Sequence, residues 1–204
     1  MKLAVIAAAV STLTLLAANA AQAGAGQFEV RVRATHLSPA NESAPVGGTG
    51  KADRLHVSSK TIPEIDVSYF FTPSIAAELV LTVPQKHDVT LDGARIGSFR
   101  HLPPTLLAQY HFMPERQINP YLGAGVNITR IGSVHLLGDK AGLESHSVGL
   151  AVQAGVNLKL DQHWTLNADI KKIRIRSDVT MAGAAISHVK VDPVLVALGV
   201  GYRF

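Results

Sequence analysis

Cysteine is missing from the 204-residue chain. That absence rules out thiolate catalysis, cysteine-based metal sites and disulfide stapling, so other forces must hold the fold. Charge is sparse: 17% of residues are Asp, Glu, Lys or Arg, the formal balance is +4, and there is no Lys/Arg run. Such a balance gives no footprint for nucleic acid. Aromatic residues amount to only 5%. Beyond the first two dozen residues, no apolar run approaches the ~20 residues of a transmembrane helix. Helical periodicity is scarce, and no glycine-rich phosphate loop is present.

What is present begins with "MKLAVIAAAVSTLTLLAANAAQA". One lysine, an apolar run and a tail of small residues follow the order of a secretory signal peptide. "AQA" places the cut after Ala23, with Ala20 as a second position. An uncleaved anchor is the other reading, although the apolar core is short for a span. The chain then divides into a signal, residues 1–23, and one domain, residues 24–204.

Within that domain period-2 alternation recurs. In "SVGLAVQAGVNLKL", Val148, Leu150, Val152, Ala154, Val156, Leu158 and Leu160 share one face; Gly149, Ala151, Gln153, Gly155, Asn157 and Lys159 share the other. At the C-terminus Val194, Val196, Leu198, Val200, Tyr202 and Phe204 alternate with Leu195, Ala197, Gly199, Gly201 and Arg203. Near the start, Phe28, Val30, Val32 and Ala34 oppose Glu29, Arg31 and Arg33. Residues 61–71, 75–84, 102–112, 119–131 and 163–176 fit less cleanly. In the last of these the apolar face slips from Ile170 to Ile173, which predicts a one-residue bulge at Lys171 and Lys172.

Eight strands result, and their connections alternate. "TPS", "MPERQI" and "DQH" are short; "SPANESAPVGGTGKADRLHVSSK", "QKHDVTLDGARIGSFR", "GSVHLLGDKAGLES" and "DVTMAGAAIS" are long. This predicts an all-β, eight-stranded, antiparallel up-and-down transmembrane barrel in the outer membrane, with short periplasmic turns and long extracellular loops. Strands of this length, tilted by ~40°, cross the ~25 Å apolar band, and closure gives every backbone group a partner. The apolar face is then lipid-facing and the mixed face luminal. "VALGVGYRF", ending on Tyr202 and Phe204, resembles the signal read by the barrel-assembly machinery. An ordinary amphipathic strand ending in Phe is the other reading.

"HLPPTLLAQYHF", "NPYLGAGVN", "DPVLVALGVGYRF" and "AAELVLTVPQKH", in that set and along essentially the whole mature chain, resemble the OmpW family of small outer-membrane proteins, AlkL-like barrels among them. The resemblance implies passive uptake of small hydrophobic molecules past lipopolysaccharide, with sideways release into the membrane through a gap in the wall. No cofactor is implied and no enzymatic activity. The residues assigned to that path are Phe70, Val80, Leu102, Pro103, Pro104 and Leu107, taken as apolar contacts of the outer lumen and the gap. Pro103 and Pro104, which donate no ladder hydrogen bond, fall at the extracellular end of the fourth strand. Either the strand simply starts after them, or they keep strands three and four from pairing at the rim.

Inward-facing Glu29, Arg31, Arg33, Asp66, Glu78, Gln109, Lys159, Asp169 and Arg203 form a polar plug in this reading, with Glu29, Arg31, Lys159 and Arg203 at the periplasmic mouth. Opposite signs are available for pairing, as burial requires. Lys171, Lys172, Arg174 and Arg176 stand where the better-known members of the family carry aromatics. They climb toward the outer rim, either to meet lipopolysaccharide phosphates or as a solvated edge. The nine histidines, His36, His56, His87, His101, His111, His135, His146, His163 and His188, show no ligand spacing and read as scattered surface residues. Two rival functions remain: a closed structural or interaction barrel of the OmpA/OmpX type working through its loops, and a lipid hydrolase built on Ser and His of "SHS" (145–147) or "SH" (187–188).

Overall fold

The computed structural model describes residues 26–138, 140–181 and 184–204, so the proposed signal lies outside the described residues. In chain order the described strands are β1 Gln27–Ser38, β2 Glu42–Ser43, β3 Leu55–Val57, β4 Lys60–Phe70, β5 Ile75–Thr82, β6 Gln85–Leu91, β7 Ala94–Leu102 and β8 Thr105–His111. They continue with β9 Ile118–Leu136, β10 Ala141–Leu143, β11 His146–Lys159, β12 Trp164–Ile173, β13 Arg176–Met181, β14 Ala184–Lys190 and β15 Val194–Arg203.

Eight of these close a ring of antiparallel pairs in the order β1, β4, β5, β8, β9, β11, β12, β15 and back to β1. First and last strands are joined from Glu29↔Arg203 to Ser38↔Val194, so the wall has no free edge. The luminal and outer faces alternate as the sequence predicts. Val148, Leu150, Val152, Ile170 and Leu198 lie exposed on the outside, whereas Glu29, Arg31, Glu64, Asp66 and Glu78 are buried within. An exposed apolar band of this extent is a liability in water and is satisfied by lipid.

Three of the four long connections are mostly strand rather than loop, and the first, between β1 and β4, carries only the short β2 and β3. β6 and β7 pair through a turn at Asp92 and Gly93, whose φ values of 51° and 81° match the two-residue hairpin turn that favours Asp-Gly. The upper part of β9 pairs with β7 and β10, β10 with β13, β13 with β14, β14 with β2, and β3 with β6. Between β2 and β3 the stitches are Asp53 N to Ser43 O (2.9 Å) and Val57 N to Asn41 Oδ1 (2.7 Å). The result is a crown continuing the wall outward.

No bulge separates Lys171 from Lys172. The ladders of β12 with β11 and β15 run unbroken through both residues. What changes along β12 is the environment on each side. The inward series Asp169, Lys171, Ile173, Ile175 passes from charged to apolar, while the outward series Ile170, Lys172, Arg174 passes from apolar to basic. A reversal of both faces at the membrane's outer edge looks, in sequence, like a slip of register.

Candidate functional site

The lower lumen is a closed layer of charge. Arg31 donates from Nε to Glu29 (2.8 Å) and from Nη1 to Glu78 (2.6 Å). Arg33 lies 2.5 Å from Asp66 and 3.1 Å from Glu64 through Nε, and its Nη1 donates to Asn167 (3.1 Å). Lys171 Nζ bridges Glu64 (2.8 Å) and Asp169 (3.3 Å). Gln153 donates to Glu78 (2.8 Å) and Tyr121 to Asp169 (2.9 Å). Tyr121 lies across the barrel because Gly155 faces it: a Cβ there would sit 2.4 Å from the ring. All the charged partners of Arg31, Arg33 and Lys171 are fully buried, so an ion entering this layer must displace a paired charge.

Sequence reasoning placed Glu29, Arg31, Arg33, Asp66, Glu78 and Asp169 on this face, and the structure brings them together. It missed Glu64, and it counted Lys171 with the basic side chains climbing toward the rim rather than with the inward set. Strict alternation through Asn167, Asp169 and Lys171 was the signal available. Arg31 belongs to the buried layer rather than to the mouth. Arg203 pairs with Glu29 at 2.7 Å, while Lys159 stands apart and donates to the Pro114 carbonyl at 2.5 Å.

Above the charge the lumen becomes apolar. Leu37, Val80, Leu107, Ala151, Ile173 and Leu195 are buried and continuous with the crown core of Leu55, Val89, Phe99, Leu136, Val179 and Val189. Inside the crown is a cavity of about 50 Å³ with an apolar lining apart from His101, Thr129 and two serines. His87 and His101 stack with ring centroids 4.8 Å apart and planes 6° apart. Burial holds both below the ordinary histidine range, His101 at about 3, which keeps them neutral at pH 7. They, with buried His111, depart from the expectation of scattered surface histidines.

Between the two halves one ladder lapses. β5 and β8 pair from Ile75↔Tyr110 to Val80↔Thr105, and the next pair along the same seam is Gln85↔His101 of β6 and β7. Residues 81–84 and 102–104 are unpaired across it, and they include Pro84, Pro103 and Pro104. On its other side the proline segment stays attached to β9: Ile128 N donates to Pro104 O at 3.0 Å, and Asn127 Nδ2 to the carbonyls of Pro103 (3.2 Å) and Pro104 (3.1 Å). The prolines therefore do not stand at an open rim. They lie between two paired stretches, because β7 continues the strand outward above them.

Val80 and Leu107 point inward beside this interruption, and Pro103 is buried there with Leu102 and Pro104 half-buried. Phe70 is elsewhere. It sits at the periplasmic mouth under the Arg203 guanidinium, 4.0 Å from ring centre to Cζ, with the charge layer between it and the gap. Pro84 and Asn127 were missed, although "TVPQ" carried the first in plain view.

The few aromatics are concentrated at the periplasmic end. Phe28, Tyr69 and Phe71 form one chain of ring contacts, Trp164, Tyr202 and Phe204 another, and Tyr110 meets Phe112. They make a girdle at one interface, where amphipathic rings are favoured. Ser187 Oγ donates to the Ala44 carbonyl (2.9 Å) rather than to His188, whose partner is Asp178. Ser145 and His146 contact each other at 2.8 Å on the exposed surface. Neither pair is assembled as a nucleophile with an oriented base.

A family model described as the OmpW family matches residues 24–204. An uncharacterised outer-membrane protein, y4mB of Sinorhizobium fredii, is 38% identical over 192 residues, covering 89% of this chain and 82% of its own. Outer membrane protein W of Escherichia coli K12 is 32% identical over 209 residues, with 97% of each chain covered. The crystal structure of OprG from Pseudomonas aeruginosa superposes with a TM-score of 0.79 at 27% identity, covering 89% of this chain and 97% of that one.

Proposed function

The chain belongs to the OmpW family of outer-membrane proteins, and from that premise we propose that it is a passive channel for small hydrophobic molecules, releasing them sideways into the membrane. The single observation carrying this reading is the position of the lapsed β5/β8 ladder. It opens at the level where the apolar upper lumen meets the charged floor, beside Val80, Pro103 and Leu107. A solute descending the apolar column meets paired charge below and lipid through the side. The lipid-facing positions at that level, Leu81, Val83 and Leu106, are apolar and exposed. Leaving laterally therefore avoids desolvating the ion network. The driving force is the gradient and partition into lipid, which requires no cofactor or catalysis. Tyr202 and Phe204 take the role of the assembly signal in this proposal.

A second reading is favoured by the crown. Its 50 Å³ cavity is smaller than the ~150 Å³ that holds a benzene-sized guest, so a solute must first loosen the crown. A barrel whose crown never loosens would act through its outer surface, as a closed interaction barrel does. Uptake of a small apolar solute into liposomes, with and without reconstituted protein, distinguishes the two. Faster entry in the protein-containing vesicles is expected; equal entry would leave the closed barrel standing.

A further inference from the structure

On the outer wall the β11–β12 ladder ends at Ala151↔Ile173, while β11 runs on upward to His146. Above that point the two strands are held by Arg174 N to Leu150 O (2.9 Å) and Arg176 N to Ser147 Oγ (3.0 Å). The approach is close because residue 149 is glycine: a Cβ there would lie 1.8 Å from the Arg174 carbonyl oxygen. Two shallow grooves of about 290 and 360 Å³ flank this seam on the lipid side. Their β11 side is apolar, formed by Val148, Leu150 and Val152, which are among the most exposed hydrophobic side chains of the molecule. The side facing it, on β12 and the start of β13, carries Lys172, Arg174 and Arg176 at the same level, with Asp192 as the one acid. Arg176 faces Asp192 at 3.3 Å and Lys172 donates to its main-chain carbonyl at 2.6 Å. Arg174 is exposed and has no ion pair among the described residues.

We propose that this seam docks lipopolysaccharide, with a phosphate of its lipid A headgroup on Arg174 and Lys172 and an acyl chain along Leu150 and Val152. The inference rests on outer-membrane residence and not on conduction. Along β12 the charges follow directly on the outward Leu166, Ala168 and Ile170, at the outer end of the apolar band where the outer leaflet places its phosphates, and cations outnumber acids there three to one. A guanidinium free of protein partners offers a planar fork that matches a phosphate. Aromatic girdle residues, which would anchor to a neutral interface, are gathered at the other end of the barrel. The basic wall takes their place on this side.

The test is binding of diphosphoryl lipid A to the full mature barrel in phosphatidylcholine nanodiscs, read by native mass spectrometry. Wild-type protein should retain the lipid, and the Lys172→Ser/Arg174→Ser variant should bind at least about tenfold more weakly, as expected for two interfacial cations. Arg174→Lys should keep most of the affinity. Dephosphorylated lipid A is measured on wild-type protein alone, so that arm stands even where the double variant does not fold. Equal retention of the dephosphorylated lipid, equal retention by a folded double variant, or equal competition by phosphatidylglycerol would each overturn the proposal.

Discussion

The side-chain amide of Asn127 reaches across the seam between β8 and β9 and donates to the carbonyl of Pro103 at 3.2 Å. It also contacts Pro104 O at 3.1 Å and Thr105 Oγ1 at 2.9 Å, while its own carbonyl accepts from Thr129 at 2.5 Å. Asn127 is fully buried. One side chain thus satisfies a stretch of backbone that has lost its ladder partners on the other side, and the break in the wall is a structured element. Asn127→Leu removes these four buried contacts and leaves Pro104 O to Ile128 N and Pro103 O to Thr105 Oγ1 alone, at a cost of about 1–3 kcal/mol. Denaturant titration of the refolded barrel in micelles should show that loss, and an unchanged midpoint would mean that water takes over the role.

Restoring donors along the lapsed seam should act in the opposite sense on function. Replacing Pro84, Pro103 and Pro104 together by Thr returns three N–H groups to a stretch flanked by the pairs Val80↔Thr105 and Gln85↔His101. Each ladder bond regained contributes about 0.5–1.5 kcal/mol. The barrel should gain stability while uptake of an apolar solute falls severalfold. Undiminished uptake by a folded triple variant would exclude this seam as the exit.

Ion conduction checks the charge layer. Arg33 is placed among Glu64, Asp66, Glu78 and Asp169, and removing it leaves those carboxylates buried without their shared cation. Arg33→Ala should cost about 3–5 kcal/mol, the range for breaking one side of a buried pair. In planar bilayers the wild type should conduct little, and the variant should show higher cation conductance, since excess negative charge then lines the lumen. Wild-type currents as large as those of the variant would show that the layer is not a seal.

The crown should loosen in acid. His101 is held at about 3 and His87 is also lowered by burial, against an unfolded value near 6.5. Between those limits the unfolded segment binds protons that the folded crown does not. Stability is therefore fully present above pH ~6.5 and drains as pH falls toward 3, by about 1.4 kcal/mol per unit from His101, with His87 acting in the same sense. The groups facing the pair are Phe99, Ser58 through its carbonyl, and the nearby Lys60 and Asp88. Amide exchange of β6 and β7 at pH 7 and pH 5 should show faster opening at pH 5 in wild type and much less change in His87→Phe/His101→Phe. Equal acceleration in both would place the acid sensitivity elsewhere.

Much of this was legible because the membrane imposes a strict two-sided code. Where the wall is lipid-facing, Phe28, Val30 and Val32 against Glu29, Arg31 and Arg33 can be read in only one register. Legibility ended where the code reversed. Above the membrane the outside is wet and the inside is dry, so Leu55, Val89 and Val179 alternate in the opposite sense and were read as loop. Phe70 was assigned to the wrong end because it faces inward like Val80, and alternation carries no information about height. The association of Pro84 with Pro103 and Pro104 depends on which residues stand opposite across the β5/β8 seam, which no single strand encodes.

That reversal can be tested at β12, where the bulge reading and the unbroken ladder predict different faces. With a bulge, Lys172 and Ile173 would exchange sides relative to Ile170; without it, Lys172 and Arg174 face out and Ile173 faces in. The wild-type chain has no cysteine, so single cysteines report without background. Lys172→Cys and Arg174→Cys should react on intact cells with a membrane-impermeant maleimide, while Ile173→Cys, at a position 2% exposed, should stay unlabelled until the barrel is unfolded. The substitution at 173 removes several buried methylene-sized groups, at a cost of about 2–5 kcal/mol for full truncation to alanine, which a closed eight-strand ring tolerates better than a buried charge. Labelling of Cys at 173 with protection at 172 would restore the bulge, turn Lys172 and Arg174 toward the lumen and remove the basic wall from the outer surface.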